Sequence, residues 1–254
     1  MRRSTLSLLC LSALTGCSLT TLTADGPVVT ESRTLGDFSA LHLRGFVSAE
    51  VEIGEPASAT LRCVESLIDH VITDVRGDTL VVDLRKVLNL GGRAECTLEL
   101  VTPTLNVVEV SGTGTADVIG LIDALDAVIV SGAGAARIEA ASASTLTIDS
   151  SGTGEVEITS LSAGDVEIDH SGAGPVRIAG AAVSVILDGS GSGGDDLADL
   201  AVSEARVQLS GAGDAEVHAS GRVSGELSGA GDLIVTGGAA IDVRTSGSGQ
   251  VRVR

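Results

Sequence analysis

Asp149, Asp169 and Asp188 recur 20 and 19 residues apart, and Glu167 stands two residues before Asp169. If the chain folds so that residues about twenty apart come together, these four carboxylates share one face. Such a stack repels itself unless the side chains splay into water or a cation sits among them, and a weak Ca2+ site is the metal chemistry this set offers. Two carboxylates on one face are also the equipment of a glycosidase. Splaying into water is the simplest of these readings. His170, next to Asp169, and His218 read as solvated surface positions.

What must position these residues is a repeat. The tetrapeptide Ser-Gly-small-Gly occurs eight times, starting at Ser111, Ser131, Ser151, Ser171, Ser190, Ser210, Ser228 and Ser246. The intervals are 20, 20, 20, 19, 20, 18 and 18 residues. After each motif the text alternates outward and apolar residues, as in Glu155-Val156-Glu157-Ile158 and Gln250-Val251-Arg252-Val253. A second alternating stretch precedes the next Ser, as in Val166-Glu167-Ile168-Asp169. This predicts an all-β, single-stranded β-helix (a β-solenoid, expected to be right-handed) with coils of about 20 residues stacked about 4.8 Å apart. The glycines are expected to turn tight corners at positive φ.

Aligned by the motif, outward positions form columns. One reads Asp117, Arg137, Glu157, Arg177, Asp196, Glu216, Ile234, Arg252, and its first five members alternate in sign, which specifies register. Another reads Glu109, Ile129, Asp149, Asp169, Asp188, Gln208, Glu226, Arg244. Asp195 falls where an inward Val or Ile is expected, and the cost of burying an unpaired carboxylate predicts a loop or bulge that turns it outward. The motif is not a dinucleotide fingerprint, because the third glycine and following helix are missing.

Composition agrees with narrow aliphatic layers: 43% of residues are hydrophobic, yet there is no Trp or Tyr, and Phe38 and Phe46 are the two Phe. The net charge of −18 argues against nucleic-acid or anionic-lipid binding.

The N-terminus reads as an address. Arg2 and Arg3 precede an apolar run from Leu6 to Leu14, and Leu14-Thr15-Gly16-Cys17 resembles the bacterial lipobox. Residues 1–16 are expected to be a lipoprotein signal peptide, and 17–27 a lipidated Cys17 with a Thr-rich tether. By resemblance to lipoprotein sorting, Ser18 after the Cys favours the outer membrane. Cys63 and Cys96 then remain, either as a disulfide or as two buried thiols, and an oxidising envelope favours the disulfide. Residues 28–254 form the solenoid, irregular from 28 to 110 and regular from 111 to 254. Leu67, Ile68, Val71, Ile72 and Val75 share one side of a helical wheel, with Ser66 placed to cap it. They predict a short helical element over the N-terminal end.

Leu35-Gly36-Asp37-Phe38-Ser39-Ala40-Leu41-His42-Leu43, Gly77-Asp78-Thr79-Leu80-Val81-Val82 and the Ser-Gly-small-Gly series together resemble the auto-transporter adhesin head GIN domain family, over roughly residues 33–254. The resemblance implies a β-helix-like fold and an adhesin-like role, with no catalytic residues. Three functions are weighed. The first is a non-enzymatic outer-membrane lipoprotein, adhesin-like or scaffold, held by its lipid and meeting an unidentified protein or glycan. The second is a β-helix polysaccharide lyase or glycosidase using Asp149, Glu167, Asp169 and Asp188, against which stands the lack of aromatic sugar platforms. The third is a solenoid that self-associates as a homo-oligomer through the strand Val251-Arg252-Val253. No cofactor beyond weak Ca2+ is expected.

Overall fold

A computed structural model describes residues 21–85, 89–91 and 94–254, and in it the twenty-residue period becomes parallel stacking. Val107–Val110 lies on Ala127–Val130, which lies on the end of Ala135–Ser150, and the series continues to Ala240–Thr245. The chain is therefore an all-β solenoid of about seven turns of roughly 20 residues. Both columns align as expected: Asp149, Asp169 and Asp188 are successive partners, and so are Asp117, Arg137, Glu157 and Arg177. A third side carries the return of each coil, where Ala140 meets Ser160 and Ser162 meets Ala181. The register shifts of the regular coils all fall on this third side, between Val118 and Leu121, Ile158 and Leu161, Arg177 and Gly180, and Leu197 and Glu204.

Alternation fills the interior. Val108, Val128, Ile148, Ile168, Leu187 and Val207 form one inward ladder, all buried, and Val118, Ile138, Ile158, Ile178, Leu197 and Val217 form another. Each such side chain contributes roughly 1.5–3 kcal/mol of burial.

The corner glycines are required for a reason other than the expected one. The positive-φ glycines are Gly26, Gly45, Gly77, Gly120, Gly180, Gly225, Gly237 and Gly238, and none belongs to the Ser-Gly-small-Gly series. Close approach decides the matter instead. The carbonyl of Gly132 accepts the N–H groups of Thr153 and Gly154, at 3.0 and 3.1 Å, in the coil above. A Cβ on Gly152 would lie 1.9 Å from that oxygen. The backbones are in contact, and any side chain there would push the coils apart.

The N-terminal region differs more from expectation. Ala40–Leu43 and Ser48–Ile53 add one coil under Val107–Val110 and Thr115–Ile122. Beyond it one face ends in a hairpin and the other in antiparallel strands distant in sequence. Thr79–Leu84 runs parallel to Ala40–Leu43 and antiparallel to Val71–Arg76. Cys96–Thr102 runs parallel to Ser48–Ile53, and Ser58–Val64 and Val28–Ser32 follow antiparallel. Within 28–110 the irregular coils are thus largely a cap, whose reversed strands stop the stack from growing. The helix is a single turn, Glu65–Ile68, with Leu67 and Ile68 buried. Val71, Ile72 and Val75 continue as a strand because they are β-branched and because Gly77, at φ +66°, turns the chain back onto a partner. Ser66 does not cap: its Oγ accepts from Asp25 N at 2.9 Å and donates to Thr23 O at 3.1 Å.

Cys63 and Cys96 face each other across the antiparallel cap strands and are disulfide-bonded, with Cα atoms 4.1 Å apart and a separation of 33 positions in sequence. Replacing both by Ala is expected to lower stability by about 3 kcal/mol, measured as a drop in the urea midpoint. An unchanged midpoint would show that the bond does nothing for the cap. The signal segment 1–16 and Cys17 lie outside the described residues. Among the described residues, no helix is long and apolar enough to cross a membrane.

Candidate functional site

Asp149, Asp169 and Asp188 are exposed and stand in one straight column, with Ile129 before them and Gln208 after. Glu167 occupies the next column, between Thr147 and Ile186. Parallel strands send such side chains outward in parallel rather than toward a common point. Among the described residues, no group of three or more His, Cys, Asp or Glu is arranged to hold a metal ion. Of the four carboxylates expected to offer a Ca2+ site, the three Asp form a row and Glu167 stands in the column beside it, which is not a ligand cage. Asp169 and Asp188 do border an open depression of about 320 Å3 with Gln208, Glu226 and several serines.

The alternating column on the second face forms ion pairs. Arg137 reaches Asp117 at 3.5 Å and Glu157 at 3.8 Å. Its best partner is Glu155 at 2.9 Å, and Arg177 also grips Glu155. Glu155 lies just after a corner, outside the column read from the sequence, and sits between two arginines from neighbouring coils. Exposed pairs of this kind add little stability; their effect is to penalise a slipped coil.

The largest departure from expectation is inside the tube. Asp195 is in-strand and 4% exposed, and His170 is 1% exposed, with Nδ1 2.7 Å from Asp195 Oδ1. Neither the outward bulge expected for Asp195 nor the surface position expected for His170 occurs. The two inward columns that flank each corner bring them together. His170 directly precedes Ser171, where other coils carry Val110, Val130 and Leu209, and Asp195 opens the next coil, beside Val176. Gly189, the residue stacked on His170, has no side chain, and a Cβ on Gly193 would come within 2.5 Å of the His170 ring, so the imidazole leans under the following corner. The hydrogen bond to Asp195 pushes the His170 imidazole above its ordinary range, against the effect of burial. Burial pushes the Asp195 carboxyl up, against the effect of His170. The pair thus holds a shared proton firmly.

Ser150 lies beside His170 in register, and Ser150 Oγ and His170 Nε2 are both buried without a hydrogen-bond partner. Residue types alone make this a Ser-His-Asp set. Its burial removes the reaction, since Ser150 is 0% exposed and no substrate carbonyl reaches it.

A second polar cluster joins the first regular coil to the cap. His42 Nε2 is 2.8 Å from the exposed Ser111 Oγ and 3.1 Å from Glu109 Oε1. Arg44 Nη2 lies 3.2 Å from His42 Nδ1, and its Nε lies 3.3 Å from both ring nitrogens, so the guanidinium packs along the imidazole edge. Burial, reinforced by Arg44, holds the imidazole below its ordinary range against Glu109 and Asp83. The cluster is a polar joint between stacked coils. It escaped the sequence because residues 54–102 intervene between strands that stack directly.

Taken together, fold and site define a class: a parallel β-solenoid with an antiparallel cap, polar ladders outside and its Ser-His-Asp set sealed in the core. The family model described as "Putative auto-transporter adhesin, head GIN domain" matches residues 37–239. The chain belongs to that family. Solved structures resemble it along nearly its whole length. A "putative lipid binding protein" from Parabacteroides distasonis has a TM-score of 0.83 at 16% identity, covering 92% of this chain and 100% of its own. A "putative adhesin" from the same organism has 0.82 at 20%, covering 92% and 100%. Another from Parabacteroides merdae has 0.82 at 18%, covering 92% and 99%. At these identities they show a shared fold. No curated protein matches the chain.

Proposed function

We propose that this chain is a non-enzymatic envelope lipoprotein, anchored in the outer membrane through Cys17, that presents its solenoid as an adhesin-like or scaffold surface. The observation that carries the reading is the pair of long outer faces on which side chains stand in unbroken rows from coil to coil. Rows of this kind suit an extended protein or glycan partner. The family description and the adhesin label on related structures support the same reading. The lipobox-like segment supports the anchor. In intact cells the tagged protein is expected to be labelled by a membrane-impermeant reagent, and Cys17→Ala is expected to release it from the membrane fraction. A protein that fractionates identically with and without Cys17 would refute the anchor; one shielded from the reagent would refute surface adhesion.

The lyase or glycosidase reading has less support, because Asp149, Glu167, Asp169 and Asp188 stand in open rows. End-to-end self-association is favoured by one observation. The last coil leaves Ile241 and Val253 exposed, at 37% and 62%, where earlier coils bury the equivalent positions. Sedimentation of the chain with Cys17→Ser is expected to show concentration-dependent association that Val253→Asp abolishes. A strict monomer would dismiss it.

A further inference from the structure

Between the edge strand Val28–Ser32 and Ala40–Leu43 the chain crosses the cap through residues 33–39 and leaves a groove beneath the crossing. The groove has a volume of about 250 Å3, with Leu35 and Phe38 as its wall, Ala59, Leu100 and Val101 as its floor, and Arg33 at one end. Small residues keep it open. Ala59 occupies an inward position of Ser58–Val64 where the next inward residue is Leu61, and Gly36 has nothing within 4 Å of where a side chain would begin. Ala57, also on the lining, is exposed. Phe38, one of the two aromatic residues in the protein, is spent on this wall.

Arg33 makes the groove chemically specific. Its Nη2 donates to Ile68 O at 2.9 Å and reaches Glu31 at 3.3 Å, which fixes the guanidinium. Its Nε is buried and has no hydrogen-bond partner. In a chain with 34 acidic and 16 basic side chains, a fixed guanidinium whose side chain stays 20% exposed beside an apolar trough is matched by an anion with a hydrocarbon tail. The volume falls below the roughly 300–1,000 Å3 of clefts for drug-sized ligands, so one short chain fits and a ring system or two-chain lipid does not. We propose that this groove binds a short, single-chain aliphatic carboxylate, with its carboxylate on Arg33 and its chain along Leu35, Phe38 and Leu100. The site stands independently of the adhesin-like reading.

The test uses octanoate, octanol and acetate, titrated calorimetrically into the full chain carrying Cys17→Ser and free of detergent. Octanoate is expected to bind saturably at one site, octanol about tenfold more weakly for want of the charged contact, and acetate not measurably. Arg33→Gln is expected to reduce octanoate to the level of octanol. Ala57→Leu, at an exposed position that leaves the core intact, is expected to block both. Absence of saturable octanoate binding, or octanoate and octanol binding alike with Arg33→Gln without effect, would overturn the proposal. So would a dimer formed without ligand and broken by Ala57→Leu, which would make the groove a protein contact.

Discussion

Asp195→Ala is expected to lower the stability of the solenoid by about 3–5 kcal/mol, because it strands His170 in the core without its partner. The loss should appear as a lower urea midpoint with an unchanged slope. Deleting one member of a buried pair is expensive, but the pair need not be stabilising in itself. Val130 occupies the His170 column two coils away and Val176 stands directly beside Asp195, so the double substitution His170→Val with Asp195→Val puts aliphatic side chains where these columns accept them. That double variant should equal or exceed the native protein, as replaced buried ion pairs often do. A double variant as unstable as Asp195→Ala would show that the pair is needed for the coil to close. pH offers a second readout. His170 holds its proton more tightly folded than unfolded, and Asp195 shifts the same way. The contribution of His170 is complete below the ordinary imidazole value of 6.5 and fades as pH rises through its raised folded value, whereas that of Asp195 is complete only below the ordinary carboxyl value of 3.8. Stability should therefore fall above pH 6.5 in the native chain and stay level there in the double-valine variant.

Gly152→Ala is expected to be at least as damaging, with a loss of more than about 4 kcal/mol or outright failure to fold. The added Cβ would sit 1.9 Å from the Gly132 oxygen, the same atom that holds Thr153 and Gly154. Backbone meets backbone, so no side-chain rotation relieves the clash. Gly36→Ala, where nothing lies within 4 Å, is the matched control and should leave the midpoint nearly unchanged. Equal effects from the two would mean that chain entropy rather than contact governs the corners.

These two sites also mark how far the sequence could be read. Spacing revealed the coils and the columns because identical corners recur, and alternation revealed which residues turn inward. Spacing does not reveal why a glycine is needed: a left-handed turn and a close carbonyl select the same residue. Asp195 was visible as a break in pattern, and alternation also places His170 inward, between Ile168 and Ser171. Judged singly, each looked safer in water; only stacking one coil on the next turns two costly residues into a pair. The cap was illegible for a different reason. Its antiparallel strands join partners by reversal instead of by period, so Leu67, Ile68, Val71, Ile72 and Val75 fit a helix as well as a turn followed by a strand. Gly45 carries the period one coil further back, since Arg44-Gly45-Phe46 sits under Ser111-Gly112-Thr113 as a degenerate first corner.

The register shifts between Ile158 and Leu161 and between Leu197 and Glu204 have a practical meaning. Coils of 18, 19 and 20 residues coexist because every gain or loss of length is absorbed on one flank, leaving the other two aligned. That flank is a seam of slack running the length of the tube. Sequence can drift there, and a peptide tag or fluorophore attachment site can be spliced in at Ser160 or Asp199, while the ladders on the other two sides keep their alignment.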